Sequence, residues 1–264
     1  MADQILKSKV ATEGTGKVAA KKKPLPFRIE KSSGPELFAG AGSALPSDPM
    51  QHPAYYERVP VLEVTQGLLC RAMLQLNAHY QEYGVFEIAE VGSYRGRGTK
   101  AILDLAVSLG VQVHVTGLDS FEGLPPLSGK DAELAPVNAA YRTRVLFADV
   151  TEREVRAYIG SAHEGSFTLV KGFFIETLPT LPEKQYLMAI IDCDLYSSHM
   201  DSMSYFYERL LPGGIMFFDD YHSGHYPKAK QASNEFLEEK PEKLFHIGFA
   251  TPKGNNVKTY IIKQ

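Results

Sequence analysis

Phe86-Glu87-Ile88-Ala89-Glu90-Val91-Gly92-Ser93-Tyr94-Arg95-Gly96-Arg97-Gly98-Thr99 begins as an apolar, β-rich run, passes through a glycine-rich turn and opens a helical stretch. Small residues at that turn let the backbone reverse sharply and approach a ligand at the carboxyl end of a strand. The glycines stand at 92, 96 and 98, a poor match to the G-x-G-x-x-G spacing that seats a dinucleotide pyrophosphate. Taken alone, the cluster is also compatible with an ordinary tight strand-to-helix turn.

Outward from this turn, short β-rich runs alternate with helical ones. Strands are expected at Phe86–Val91, Val111–Leu118, Arg144–Ala148, Phe167–Lys171, Leu187–Asp192, Gly214–Phe218 and Val257–Ile262. Helices are expected near Thr99–Leu109, Thr151–Ile159, Ser198–Leu211 and Ala232–Leu237. Such alternation predicts an α/β fold with a doubly wound, mostly parallel seven-stranded sheet covered by helices on both faces. Ahead of it, Leu62, Leu68, Leu69, Met73, Leu74 and Leu76 recur at helical spacing between Tyr55 and Tyr83, with Gly84 as a stop signal, which predicts an N-terminal helical extension. No period of 20 to 50 residues repeats, so a solenoid is not expected.

Residues 1–50 differ from the rest: Lys21, Lys22 and Lys23 precede Pro24 and Pro26, then a Gly, Ala, Ser and Pro mixture. They are expected to form a flexible basic tail or lid, with the folded domain over 51–264. With 44% hydrophobic and 22% charged residues in a chain of 264, most of the sequence can bury enough apolar area to fold. A net charge of -3 gives no electrostatic reason to expect nucleic acid or an anionic membrane as partner. Cys70 and Cys193 are too few for a disulfide scaffold. No apolar run approaches the length of a spanning helix or a secretory signal, so a cytoplasmic protein is expected. Closed homo-oligomers are common among soluble proteins, which makes a homo-oligomer, a dimer in the simplest case, the expectation.

Acidic residues at strand ends carry the chemistry. Asp119 closes Val115-Thr116-Gly117-Leu118-Asp119 and can accept hydrogen bonds from both hydroxyls of a ribose, while Glu90 ends the first strand. Asp149 follows Arg144–Ala148, where it can accept an adenine amine or equally cap the helix that starts after it. Asp192 and Asp194 follow Ile190-Ile191, and Asp219 and Asp220 follow Phe217-Phe218. Neighbouring strands would gather three of these carboxylates, which need a compensating charge; a hard divalent cation, magnesium rather than zinc, suits an all-oxygen set. The plainer alternative makes Asp192 or Asp194 a cap for the helix near Ser198, with Asp219 and Asp220 solvated. Of the nearby His199, His222 and His225, His222 directly follows the acidic pair and is the candidate proton relay. Tyr196, Phe121, Phe173, Phe174 and Tyr221 can stack on a ring or serve the core.

Five segments together carry a resemblance: Glu90-Val91-Gly92-Ser93-Tyr94-Arg95-Gly96, Leu118-Asp119-Ser120-Phe121-Glu122-Gly123-Leu124-Pro125, Val170-Lys171-Gly172-Phe173-Phe174-Ile175-Glu176-Thr177-Leu178-Pro179, Asp192-Cys193-Asp194-Leu195-Tyr196-Ser197-Ser198, and Leu211-Pro212-Gly213-Gly214 leading to Asp219-Asp220-Tyr221. In this order they resemble the macrocin O-methyltransferase family, enzymes dependent on S-adenosylmethionine and magnesium that methylate sugar hydroxyls in antibiotics. The resemblance implies the class I methyltransferase fold. It makes Asp192, Asp219 and Asp220 the metal ligands, with Asp192 also the general base. It places Glu90, Gly92, Ser93, Asp119, Ser120 and Asp149 around the methyl donor, Asp119 at the ribose and Asp149 near the adenine. The family has a threonine after a serine where this chain reads Ser197-Ser198-His199.

The implied reaction is methyl transfer to a hydroxyl of a small natural-product acceptor, a sugar or alternatively a catechol. Two other classes stay open on sequence: an NAD-dependent oxidoreductase, and a noncatalytic S-adenosylmethionine-binding module.

Overall fold

The structure, a computed structural model, describes residues 60–77, 84–134, 146–251 and 254–264. The expected tail over 1–50 lies outside the described residues. Seven strands form one sheet: β1 (Phe86–Val91), β2 (Val113–Asp119), β3 (Phe167–Lys171), β4 (Tyr186–Ile191), β5 (Leu210–Phe218), β6 (Phe245–Thr251) and β7 (Gly254–Ile262), in the order β3-β2-β1-β4-β5-β7-β6. β1 to β5 pair in parallel, whereas β7 runs antiparallel between β5 and β6.

Strand β4, Tyr-Leu-Met-Ala-Ile-Ile, is buried along its whole length, and Ile88, Ala89 and Val91 of β1 are fully enclosed. Continuous apolar runs of this kind form because helices cover both faces of a parallel sheet. The helices are α1 (Pro60–Asn77), α2 (Arg97–Leu109), α3 (Glu152–Ile159), the single turn α4 (Phe174–Thr177), α5 (Tyr196–Tyr207) and α6 (Pro227–Leu237). One apolar layer joins Leu68, Leu69, Met73 and Leu76 of α1 to Ile102 and Leu103 of α2 and to Ile88, Met188 and Phe217 of the sheet. The other places Met203 and Phe206 of α5 and Ala232 of α6 against Ala89, Ile191 and Phe218. Leu74, expected with the apolar stripe of α1, is exposed instead.

Two expectations about strands are corrected. Within Arg144–Ala148, the described Leu146 and Phe147 form a turn, and Phe147 has a left-handed backbone (φ 66°) that no strand accommodates. The seventh strand is β6, Phe245–Thr251, which joins β7 as an antiparallel hairpin; the parallel region ends at β3 on one side and is continued by this hairpin on the other. The helix caps also differ from expectation. Thr151 caps α3 in a reciprocal box with Glu154, its hydroxyl accepting from the Glu154 amide while the Glu154 carboxylate accepts from the Thr151 amide at 2.8 Å. Asp149 is therefore not the cap.

At the N-terminus of α5 the residue in the cap position is Leu195, which supplies no side-chain bond. Asp131, from a short 3-10 helix at Gly129–Leu134, does this from 65 residues away: its carboxylate accepts from the amides of Tyr196 (2.7 Å) and Ser197 (3.0 Å) and from the Ser197 hydroxyl (2.8 Å). Asp131 is 1% exposed, and the helix-end donors it satisfies would otherwise stay unpaired in the protein interior. Asp192 and Asp194 are consequently released from any capping duty.

Parallel pairing of β1 with β4 brings the turn after β1 hard against the chain leaving β4. Gly92 has φ +93°, and a Cβ there would sit 1.7 Å from the carbonyl oxygen of Asp192. Gly110, at the end of α2, has a similar left-handed φ of +65° but nothing within 4 Å. Gly110→Ala is expected to cost about 1 kcal/mol from backbone strain alone, whereas Gly92→Ala adds the collision and is expected to exceed about 3 kcal/mol. Urea unfolding of both variants checks this, and equal losses at the two positions would show that the β1–β4 contact yields at no cost.

Candidate active site

The carboxyl ends of the parallel strands open into a cavity of about 330 Å³. Its walls come from the turns after β1 (Gly92, Tyr94), β2 (Asp119, Ser120, Gly123 to Pro126), β3 (Gly172 to Ile175) and β4 (Asp192, Cys193, Asp194), together with the face of α5 carrying Ser197, Ser198 and Asp201. β1 lies between β2 and β4, so the sheet order reverses at this point, the usual place for a ligand crevice in an open α/β sheet. Four non-glycine residues among those described have positive φ: Tyr94, Phe121, Phe147 and Asp194. Three of them are in the cavity wall, and Phe121 follows Ser120 directly. Such backbone strain costs free energy and persists where the surroundings enforce it.

On one side, Asp119 is held rigidly. Its Oδ2 accepts from the Tyr94 amide and its Oδ1 from the Phe121 amide, both at 2.8 Å. Burial raises its pKa, and these backbone bonds work against the rise. Each carboxylate oxygen retains a lone pair for a further donor, which fits a ribose diol. The Ser120 hydroxyl donates to the Gly123 carbonyl at 2.6 Å and accepts from the Glu122 amide, shaping the turn. The Ser93 hydroxyl is buried without a partner among the described residues. Glu90 is outside the wall: it is buried under the turn, accepts the Thr99 hydroxyl at 2.6 Å, and has its pKa raised to about 7, chiefly by burial. Asp149 is also outside the wall, exposed, engaged by the Tyr94 hydroxyl at 2.7 Å and by Arg95. Phe147, packed edge-on against Tyr94 at 5.3 Å, occupies the wall in that region instead.

On the other side, β4 and β5 are in register with Ile191 opposite Phe218, so the residues that follow them emerge side by side. Asp192, Asp219 and Asp220 can each present an oxygen such that all three lie within 4.8 Å of one another. Burial raises the Asp192 carboxyl well above its usual range, reinforced by Asp219, Asp220 and Asp194. Burial, with Asp219 adding to it and Lys258 and the Asp194 amide opposing it, pushes Asp220 to about 7. Lys258 of β7 is the countercharge: its ammonium donates to Asp219 Oδ1 at 2.6 Å and to the Asp219 carbonyl at 3.1 Å. Sequence reasoning passed over Lys258, because only the antiparallel hairpin brings position 258 beside position 219. An all-oxygen set with three carboxylates and one ammonium retains an excess of negative charge, which suits a hard divalent cation.

The histidines stand apart. His222 is exposed and outside the wall; its ring meets Tyr221 edge-on and faces His246 of β6, Nε2 to Nδ1, at 3.5 Å. His199 is fully buried, its Nδ1 directed to the Leu195 carbonyl at 3.0 Å, and burial lowers its pKa to about 4, so it is a neutral core group. Of the candidate aromatics, only Phe173 and Phe174 line the cavity. Tyr196 and Tyr221 spend their hydroxyls on Glu235 and Asn234, and Phe121 packs into the core.

Glu90 gives a pH signature. Its folded pKa, about 7, lies above the ordinary 4.5, so the folded chain holds this proton more tightly than the unfolded one. Its favourable contribution is complete below pH 4.5 and is lost as the pH rises through 7. Glu90→Gln is therefore expected to be more stable than the parent at pH 8.5, by on the order of 2–3 kcal/mol, with the difference vanishing towards pH 4.5. Urea midpoints across that range, in chelator, measure it; a constant difference would mean that Glu90 titrates normally.

The family described as Macrocin-O-methyltransferase (TylF) matches residues 80–247. Demethyldecarbamoylnovobiocin O-methyltransferase of Streptomyces niveus is 31% identical over 120 residues, 45% of this chain and 45% of that protein. The 8-demethyl-8-(2,3-dimethoxy-alpha-L-rhamnosyl)-tetracenomycin-C 4'-O-methyltransferase of Streptomyces olivaceus is 29% identical over 140 residues, 51% of this chain and 52% of that protein. The matched regions thus span about half the length of these curated relatives. The solved structure of the O-methyltransferase NovP superposes with a TM-score of 0.62 at 22% identity, covering 77% of this chain and 79% of that one, and the shared fold is that of class I methyltransferases. With the family matching well over half of the sequence, through the strand ends that build the cavity, the chain belongs to the macrocin-O-methyltransferase family.

Proposed function

We propose that the protein transfers a methyl group from S-adenosylmethionine to a hydroxyl of a small glycosylated acceptor, with magnesium held by Asp192, Asp219 and Asp220. The observation that carries this reading is that one cavity wall contains both the amide-clamped Asp119 and Asp192 of the carboxylate cluster. Groups for a donor and for a cation that meet at one cavity, through Asp119 and Asp192, suit cation-assisted transfer to an oxygen. The sugar acceptor rests on the relatives, one of whose names specifies a rhamnosyl substrate.

When bound, S-adenosylmethionine supplies an electrophilic methyl group and magnesium a positive charge that eases ionisation of the acceptor hydroxyl. Asp119 would receive the ribose hydroxyls on oxygens already fixed by two amides, so little order is lost on binding. Phe147 and Tyr94 offer an aromatic rim to the base. Asp192 would take the acceptor proton on a carboxylate oxygen as the new O–C bond forms and the S–C bond breaks, leaving the sulfur neutral. Its carboxylate has two oxygens, one for the cation and one for the proton. Lys258 holds Asp219 in place from behind. His222 is exposed with its ring turned to Tyr221 and His246, whereas Asp192 lines the cavity, so proton transfer is assigned to Asp192 alone.

An oxidoreductase would leave the carboxylate cluster without a role, and calorimetry separates the two directly. S-adenosylmethionine and S-adenosylhomocysteine are expected to bind and NAD is not; the reverse pattern would overturn the reading. Asp219→Asn is expected to weaken magnesium by at least about tenfold while leaving S-adenosylhomocysteine affinity unchanged. Asp192→Asn is expected to slow single-turnover methyl transfer by about 10²–10⁴, and a full-rate turnover would remove it as the base.

A further inference from the structure

The cavity has a third polar wall, apart from Asp119 and from the carboxylate cluster. On α5, Asp201 follows Ser197 by four residues and Ser198 by three, which brings it beside each of them, and all three line the cavity. Ser197 is committed elsewhere, donating to Asp131 at 2.8 Å. Asp201 has no hydrogen-bond or ion-pair partner among the described residues, and partial burial alone raises its carboxyl above the ordinary range. Across the cavity stand apolar groups, Leu124, Pro125 and Pro126 on one loop and Phe173, Phe174 and Ile175 on another.

A carboxylate taken partly out of water without a partner is unfavourable, and the penalty is relieved by a ligand that brings a donor or a positive charge. Ser198 adds a hydroxyl one turn away that can donate or accept. The apolar loops opposite suit the carbon face of a ring. Because Asp119, Asp192 and Asp194 also line the cavity, an anionic substituent there would meet only like charge from the described wall.

We propose that Asp201, with Ser198 beside it, sets the acceptor's charge preference: it receives a hydrogen-bond-donating substituent next to the methylated region, favouring an ammonium over a hydroxyl and a hydroxyl over a carboxylate. The acceptor class is then a neutral or amino-bearing glycoside rather than a sugar acid or a phosphorylated sugar. This rests on the reading above that the cavity holds the acceptor, and it names what that acceptor carries.

The test uses the full-length protein, isotopically labelled, and three methyl glycosides that differ at one position: methyl glucoside, methyl 6-amino-6-deoxyglucoside and methyl glucuronide. Dissociation constants are read from amide chemical shifts, with and without S-adenosylhomocysteine. The amino glycoside is expected to bind about tenfold more tightly than the neutral one, and the glucuronide most weakly. Asp201→Asn, which keeps shape and removes charge, is expected to bring the amino and neutral glycosides within about twofold of each other, and Asp201→Glu to preserve the order. S-adenosylhomocysteine affinity is expected to be the same in all three proteins. Equal binding of the three glycosides by the parent, no binding of any, or survival of the order in Asp201→Asn overturns the assignment. Failure of S-adenosylhomocysteine to bind while the charge order is kept and depends on Asp201 discards the methyl-donor reading and leaves the Asp201 assignment in place.

Discussion

Mutual repulsion among Asp192, Asp219 and Asp220 is the constraint that the surrounding structure is built to bear. Their oxygens reach within 4.8 Å of one another, and at an effective dielectric of about 20 each ionised pair at that distance costs roughly 3 kcal/mol. One lysine, Lys258, faces the cluster and engages Asp219 on two oxygens. A single ammonium cannot balance three carboxylates; burial first, and the repulsion of neighbouring carboxylates second, displace Asp192 and Asp220 upward. The backbone contributes as well: the Asp194 amide donates to Asp220 at 3.2 Å, and Asp194 adopts a left-handed φ of 62° as it does so. The strain at Asp194 and the hairpin that carries Lys258 are thus parts of one arrangement that holds negative charge where the proposed chemistry needs it.

The parallel half of the sheet was legible because its strands are rich in buried apolar residues, β4 without interruption. β1, β3, β4 and β5 emerged within a few residues of their observed bounds. β6 escaped because Phe245–Thr251 contains His246 and Gly248 and lies at an edge, where burial does not force an apolar pattern. Arg144–Ala148 was misread for the converse reason. Val145, Leu146 and Phe147 are β-forming by composition, yet Phe147 turns outward from the chain path to stand against Tyr94. The number of strands agreed with expectation only because one omission and one addition compensated.

The site divides in the same way. Asp119, Asp192, Asp219 and Asp220 could be found because a carboxylate directly after an apolar strand has a known place in space. Asp131 and Lys258 could not, since each acts on a partner distant in sequence, 65 residues away for Tyr196 and 39 for Asp219. Nothing local distinguishes them from solvated surface charges. Glu90 and Asp149 illustrate a different limit: proximity to a strand end does not settle which way a side chain turns, and here one turns inward to Thr99 and the other outward to Arg95.

The reversal of strand order between β2-β1 and β4-β5 has a consequence for how this cavity can vary. Residues on the proposed donor side descend from β1 and β2 and are tied to one another through Asp119 and the amides of Tyr94 and Phe121. Those on the proposed acceptor side descend from β4 and α5 and are tied through Asp131 to the loop after β2. The two sets touch where Gly92 passes beneath Asp192, a contact too close for any side chain. Side chains of α5, with His199 in the core and Asp201 in the wall, therefore shape the proposed acceptor wall without passing through the Asp119 clamp. A fold arranged like this can keep one donor site while its acceptor wall changes, and Asp201 is a position at which such a change would be read directly as charge.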